Sequence, residues 1–374
     1  YDTDWLDAVS RTAFTHNHNF NISGGSKNTT YSADFTYRKE EGVLLETYNE
    51  EMRMRFDVSH WMLNDMLKVN FNMVKTFHKN GPIDAAGLGI YRQAIMRNPT
   101  EPIWNEDGTF YENFAVNYYY NPVGIIREQD GKYNSENTRM TGNITFEPIK
   151  NWQTNLMLSR RVTRGYYTSE YFSQKSENHT GYAYHSQNEY TTDNLEVTSK
   201  YNHTWNKHRF DALVGYNYQY NVNEGFGANN YDYPTDFYLW NNLGLGTALK
   251  DGKAGMSSYK NDNTLIGFFG RVSYGYDNKY NVLLSVRREG SSKFGENNKW
   301  ATFPSVALGW RIDQEEFLKE ISWISQLKLR LGYGVTGNSA ITPYQTKGGI
   351  SSLYYPFGPN PTQGYIAYEN EAGI

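Results

Sequence analysis

From Arg209 to Tyr220 the chain reads RFDALVGYNYQY, and its residues separate by parity. Phe210, Ala212, Val214, Tyr216, Tyr218 and Tyr220 fall on one face, and Arg209, Asp211, Leu213, Gly215, Asn217 and Gln219 on the other. Successive side chains of a strand point to opposite faces, so this is a strand lying between an apolar medium and water. The same period of two returns at Tyr280, Val282, Leu284 and Val286 against Asn281, Ser285 and Arg287. It recurs at Leu327 to Val335 against Lys328, Arg330 and Gly332, and early in the chain at Tyr31, Ala33, Phe35 and Tyr37 against Ser32, Asp34, Thr36 and Arg38. Working outward, the pattern predicts about twelve strands, near 17–24, 29–39, 51–60, 66–77, 138–147, 152–162, 190–205, 208–220, 264–276, 280–289, 302–312 and 327–336.

The links between these segments alternate in length. Short ones fall at 25–28, 61–65, 147–151, 206–207 and 277–279, and longer ones at 40–50, 78–137, 163–189, 221–263 and 290–301. Tight turns on one rim and long loops on the other characterise an outer-membrane β-barrel, whereas a sandwich or propeller has no reason to sort its loops. The turns at Gly25, Asn64, Lys150, Asn206 and Asn278 are accordingly expected to be periplasmic, and the loops around Asn105, Tyr171 and Tyr238 extracellular. Tyr274, Tyr276, Trp152, Trp205 and Trp310 stand near strand ends, where interfacial girdles need aromatic rings. In a soluble sheet these rings would be core, but the opposite faces carry Arg, Asp, Asn and Gln, which suit a wet lumen.

Composition agrees. Among 374 residues there are 33 Tyr, 19 Phe and 9 Trp but no Cys, and mean hydropathy is −0.75. The absence of Cys excludes a disulfide framework, a thiolate metal site and a cysteine nucleophile, and no apolar run is long enough for a membrane helix. With 36 Lys plus Arg against 40 Asp plus Glu, no net field draws nucleic acid. Disordered chains are poor in aromatics, so low hydropathy here reflects strands apolar on one face only. The chain opens on Tyr1-Asp2-Thr3-Asp4-Trp5 without Met, basic n-region or apolar h-region, and we read it as an internal piece of a longer protein. Beyond Gly337-Asn338 we expect no terminal strand, so the fold is part of a larger transmembrane antiparallel β-barrel, with the missing strands elsewhere.

From Tyr280 to Ile312 the sequence runs YNVLLSVRREGSSKFGENNKWATFPSVALGWRI, and from Glu315 to Asn338 EEFLKEISWISQLKLRLGYGVTGN. This closely resembles the SusC/RagA family of TonB-dependent outer-membrane transporters of Bacteroidota, with Glu289 and Gln326 standing where that family usually has Asp. Asp4-Trp5, His18 to Gly25, Thr30 to Ala33, Arg97-Asn98-Pro99-Thr100 and Asn105-Glu106-Asp107-Gly108 agree as well, so the likeness extends over nearly the whole chain. It implies a barrel of about 22 strands and energised import of oligosaccharides or oligopeptides. It also implies a SusD-like surface lipoprotein over the extracellular loops, a TonB complex acting through a plug absent from this sequence, and outer-membrane lipid around the wall. No bond changes in import, so neither catalytic residues nor a cofactor are expected. Within the signature run, Arg287 and Arg288 end a strand, Gly290-Ser291-Ser292 supplies a turn, and Pro304 is expected at the start of the next strand, a structural rim element.

Other motifs are weaker. His16-x-His18 reads as a strand start rather than a metal site, and Asn105 to Gly108 lacks the alternate carboxylates that hold calcium. The loops are rich in rings: Trp104, Phe110, Tyr111, Phe114, Tyr118, Tyr119 and Tyr120 in one, Tyr233, Phe237, Tyr238 and Trp240 in another. Such faces stack on sugars or peptide side chains, or else pack the loops. Trp104, Tyr118, Tyr119, Tyr120, Tyr238 and Trp240 are the candidate ligand surface. A surface or secreted carbohydrate-binding β protein is the alternative, which sorted loops and lipid-facing stripes disfavour.

Overall fold

A computed structural model describes residues 1–81, 89–113, 115–116, 119–175, 180–318, 321, 323–355 and 362–368. Twelve strands form one antiparallel sheet in sequence order. They are β1 (Thr15–Gly25), β2 (Thr29–Glu41), β3 (Tyr48–Met62), β4 (Leu67–Asn80), β5 (Gln129–Ile149), β6 (Trp152–Lys175), β7 (Thr180–Trp205), β8 (His208–Tyr231), β9 (Gly255–Tyr276), β10 (Tyr280–Ser291), β11 (Trp300–Arg311) and β12 (Lys328–Gly334). Every strand expected from the alternation is present. Left-handed residues close the tight turns, Asn151 (φ 74°), Asn206 (φ 50°), Asp277 (φ 51°) and Asn278 (φ 54°). Asn and Asp tolerate that conformation better than other residues with a Cβ.

β1 and β12 do not pair, so the sheet is an arc of a larger barrel. Its tilt can be read from one row of directly opposed residues: Gly24, Tyr31, Val58, Phe71, Gly142, Leu158, Leu195, Tyr218, Ile266, Gly290 and Trp300. All are apolar, aromatic or Gly. The row starts beside the turn after Gly25 and ends on the first residue of β11, at the opposite rim. It climbs by about one residue per strand. With about 3.3 Å of rise per residue and 4.8 Å between strands, the strands tilt by roughly 35–40°.

The outward face is layered. Near the tight turns Trp205, His208, Tyr276, Tyr280 and Trp310 oppose one another across β7 to β11. The Trp205 and His208 rings lie 5.2 Å apart and Tyr276 and Tyr280 6.5 Å apart. Tyr280 and Trp310 turn their polar tips to the Glu315 carboxylate beyond the strand ends. Above come apolar layers, among them Ala212, Val272, Leu284, Val306 and Tyr333, which line a shallow apolar groove with Val214, Val286 and Pro304. A second ring level follows, with Phe268 5.1 Å from Tyr216 and 6.3 Å from Trp300. Ten residues of tilted strand, from Tyr280 to Gly290, rise by about 26 Å, the height of a barrel's lipid-facing band. The inward face is polar and self-paired: Ser285 bonds Ser305 at 2.6 Å, Asn72 donates to Asp57 at 3.2 Å, Thr141 meets Ser159 at 3.1 Å and Thr192 donates to Asn221 at 3.0 Å.

Three expectations need correction. The stretch 163–189 is mainly strand, and 221–263 narrows to a link at 232–254, because β6, β7, β8 and β9 run on for 22 to 26 residues. About ten residues suffice to cross a bilayer, so these strands project beyond it, where both faces meet water and no stripe marks them. Pro304 lies inside β11 rather than at its start, where β12 pairing stops at Ser305–Gly334 and a missing N–H costs little. After β12 a two-stranded hairpin forms, β13 (Gly349–Tyr355) with β14 (Thr362–Tyr368), where no further strand was expected. The link from 312 to 327 is also long for the tight-turn rim and contains short 3-10 turns.

Leu284 is half exposed on the outward face while Ser285 points to Ser305. Leu284→Arg should therefore destabilise the barrel by roughly 2 to 4 kcal/mol and Ser285→Arg by far less. Unfolding in lipid measures both, and equal losses would refute this register. Orientation is checked in intact cells with an impermeant thiol reagent, which should label Phe237→Cys and spare Asn278→Cys.

Candidate extracellular ligand surface

On the long-loop rim the chain folds into two lobes, each with its own core. The first joins the N-terminal segment to the link between β4 and β5. Helices α1 (Trp5–Val9), α2 (Ile90–Met96) and α3 (Pro122–Glu128) bury Trp5, Val9, Ile90, Ala94, Val123, Ile125 and Ile126, with Leu44, Leu45, Ile103 and Phe110 against them. Each helix is too short to stand alone. Asp4 caps α1 by accepting from the amides of Leu6 and Asp7, and Asn121 caps α3 through Val123 and Gly124. Asn121 is itself buried, and its amide donates to the carbonyls of Ile103 (2.8 Å) and Tyr111 (3.2 Å).

At the centre sits Arg97, whose side chain is wholly buried. Its guanidinium lies 3.2 Å from Glu101 and 3.6 Å from Glu112 and donates to the carbonyls of Tyr111 (2.9 Å) and Tyr119 (3.2 Å). Rings of Trp5, Tyr111 and Tyr119 face it at 5.1, 5.7 and 4.6 Å. A buried cation is tolerated when paired, hydrogen-bonded and enclosed by π-faces. Trp5 also donates to the Asn98 carbonyl at 3.0 Å, so Asp4-Trp5 and Arg97-Asn98-Pro99-Thr100 form one joint. The Asn105–Gly108 segment is a tight turn with Gly108 at φ 83°, closed by Asp107 accepting from the amide and hydroxyl of Thr109.

The second lobe lies between β8 and β9. Tyr233 and Ala183 are its buried core, packed by Leu239, Trp240, Leu243 and Leu245. Buried Asn230 donates to the carbonyls of Leu243 and Gly246. Burial pushes the Tyr233 phenol up to about 12. At the end of α3, burial and then the Asp236 carboxylate raise the Glu128 carboxyl.

The candidate residues divide accordingly. Trp104 is 48% exposed and its ring meets Phe110 at 4.2 Å. Tyr238 is 46% exposed, edge-on to the more exposed Phe237. Tyr119 is half-buried, donating to Glu101 at 2.9 Å while its oxygen accepts from the Asn98 amide, and burial chiefly raises its phenol. Tyr120 packs on the first core and Trp240 on the second. Tyr118 lies outside the described residues, as does Phe114. The structure thus gathers Trp104, Tyr119 and Tyr120 into one lobe and Tyr238 and Trp240 into its neighbour, with Trp104 and Tyr238 open to solvent. Sequence reasoning met Arg97 only within a family-like run and gave it no role; its partners are four to ninety-two positions away, and the buried set becomes apparent only in the fold.

A tilted sheet with an apolar outer band between aromatic girdles, a polar inner face and folded loops on one rim defines an outer-membrane β-barrel. The chain belongs to the TonB dependent receptor-like β-barrel family, whose model matches residues 83–371. It is 30% identical to TonB-dependent receptor P3 of Formosa agariphila, covering 98% of this chain and 37% of that protein. Against TonB-dependent receptor SusC of Bacteroides thetaiotaomicron it is 29% identical, covering 96% of this chain and 37% of that one. It is thus similar to little more than a third of these relatives' length. Among solved structures, the RagAB peptide transporter superposes with a TM-score of 0.78 at 22% identity, covering 99% of this chain and 41% of that one. The ferric citrate transporter FecA superposes with a TM-score of 0.53 at 9% identity, covering 82% and 40%.

Two outcomes test the lobes. Arg97→Met would strand two carboxylates in the first lobe, at a cost of about 3 to 5 kcal/mol; limited proteolysis should then cut residues 89–128 while the barrel band stays intact. For Tyr233 the folded phenol holds its proton more tightly than the unfolded one. Its neutral form is equally available to both states below about pH 10, and the lobe loses stability as pH rises from there towards 12. Hydrogen exchange across 232–254 should accelerate over that range, and Tyr233→Phe should blunt the change.

Proposed function

We propose that this chain is the central part of the barrel of a SusC-type importer, which carries oligosaccharides or oligopeptides inward across the outer membrane under TonB control. The observation that carries the reading is the pairing of a lipid-facing wall with a polar inner face and, above it, lobes that leave Trp104, Phe237 and Tyr238 open to solvent. Exposed rings held by buried cores suit stacking on sugar rings or on peptide side chains, because the rings are already ordered before ligand arrives. A SusD-like lipoprotein covers these lobes and delivers ligand, and the TonB complex acts through the plug. Family membership supports the TonB dependence, and the likeness to SusC and to the RagAB assembly supports the lid. Trp104, Tyr118, Tyr119, Tyr120, Tyr238 and Trp240 form the ligand surface in this reading, with Trp104 and Tyr238 as direct contacts and Tyr119, Tyr120 and Trp240 holding the lobes in shape.

Truncating Trp104 and Tyr238 to Ala should weaken ligand by on the order of 1 kcal/mol per ring. Growth on the cognate nutrient should fall while barrel abundance stays normal. Retention of the lid in a pull-down separates stacking from partner packing. Unchanged growth and unchanged lid retention after both truncations would remove these rings from the ligand surface.

A further inference from the structure

The lipid-facing wall of β8 to β12 carries one charge without an opposite charge beside it. Parity turns Arg288 outward with Leu284 and Val286, away from the lumen that Arg287 faces. It stands eight residues along β10 from Tyr280, so with the rise and tilt of these strands it lies about 21 Å up a band of about 26 Å. That level is just beneath the upper girdle, where headgroups replace hydrocarbon on the long-loop side.

Lys75, Arg160, Arg164 and Lys260 also point outward, and each meets a carboxylate: Glu136 at 2.6 Å, Asp193 at 3.7 Å, Glu189 at 2.7 Å and Glu224 at 2.8 Å. Arg288 is opposed instead by Phe268 on one side and Thr302 on the other. Its guanidinium reaches the Thr302 hydroxyl at 3.4 Å and lies 5.7 Å from the centre of the Trp300 ring, and among the described residues it forms no ion pair. The ring orders the guanidinium while most of its donors keep no protein acceptor, a fork suited to phosphate oxygens.

Directly below Arg288 the wall is recessed. Val214, Gly270, Val286 and Pro304 form the next outward row across β8, β9, β10 and β11. A Cβ on Gly270 would meet only the Leu213 carbonyl oxygen, at 3.9 Å, so no side chain fills the notch between Val214 and Val286. With Val272, Leu284, Val306 and Tyr333 beneath, this row lines the apolar groove of about 500 Å³. A cation at headgroup depth above an unfilled apolar groove is complementary to an acyl chain hung from an anionic group.

We propose that Arg288 and the groove floored by Gly270 form a site for a phosphate-bearing lipid of the outer leaflet, with the phosphate on Arg288 and an acyl chain in the groove. The site follows from the barrel's orientation and is independent of what the transporter imports. Native mass spectrometry of the full-length transporter, released from micelles carrying an acylated disaccharide phosphate or the same lipid without its phosphate, counts bound lipid. Wild type should retain the phosphorylated lipid roughly fivefold better or more. Arg288→Gln should abolish that preference and Arg288→Lys keep part of it, while Lys260→Gln, at a cation already paired, should leave it unchanged. Gly270→Leu, which fills the notch, should weaken retention of both lipids. Heat-modifiable migration of each variant shows that the barrel has formed.

Equal retention of the two lipids by wild type, or a wild-type preference in Arg288→Gln, would overturn the phosphate site. Unaltered retention in Gly270→Leu would overturn the groove. Should either variant instead split a dimer of transporters while lipid retention holds, the occupant is a second copy of this chain and the lipid site falls.

Discussion

The whole structure depends on one constraint: inside a hydrocarbon layer each backbone N–H and C=O must find its partner in a neighbouring strand. Once the ladder takes all main-chain groups, only side chains are left to meet lipid or water, and the period of two assigns each one. The uninterrupted row from Gly24 to Trp300 follows from this. A one-residue slip at any of its ten pairings would turn polar residues such as Asp34, Asp57 or Asn143 outward along every later strand. The inner face is less demanding, since water satisfies what side chains do not, and it carries the charged and amide residues that the outer band excludes.

Where the strands leave the bilayer, that constraint lapses and different interactions take over. Pairing continues through β6, β7 and β8, with register shifts after Gly131 and Thr168, but the outward side chains become ion pairs, such as Arg164 with Glu189 at 2.7 Å and Lys260 with Glu224 at 2.8 Å. These are exposed and stabilise little. The lobes are held instead by small dry cores and by the buried charge of Arg97. An apolar core of so few residues would fix α1, α2 and α3 loosely; a cation that must keep two carboxylates and three rings around it fixes their arrangement.

This difference explains what was legible in the sequence. All twelve strands of the sheet were readable because lipid writes an outward stripe such as Phe210, Ala212 and Val214, and the tight turns were readable from Asn and Asp at positions that adopt positive φ. The projecting halves of β6 to β9 were not, because both faces there are wet and Tyr, Asn and Thr serve either side. The three short helices escaped notice because seven residues or fewer carry little periodicity and their caps resemble ordinary turns. Trp104, Tyr119, Tyr120, Tyr238 and Trp240 lie between strands, yet their exposure could not be assigned from identity. Tyr119 and Trp104 look alike in sequence, while one stacks beneath a buried guanidinium and the other faces solvent.

The arc also constrains the barrel it belongs to. A row that climbs about one residue per strand across eleven strands has a uniform stagger, and closing a sheet requires that stagger to be maintained around the ring. Twelve strands closed at this tilt would give a radius near 12 Å, which the inward side chains of Arg53, Arg55, Arg139 and Arg161 would largely fill. Extended to about 22 strands at the same tilt, the radius becomes roughly 20 Å, wide enough for a plugged lumen. The unpaired edges of β1 and β12, the projecting strands and the lobes above them are then all consequences of a wall made for the wider ring, in which the polar inner face lines a lumen rather than a core.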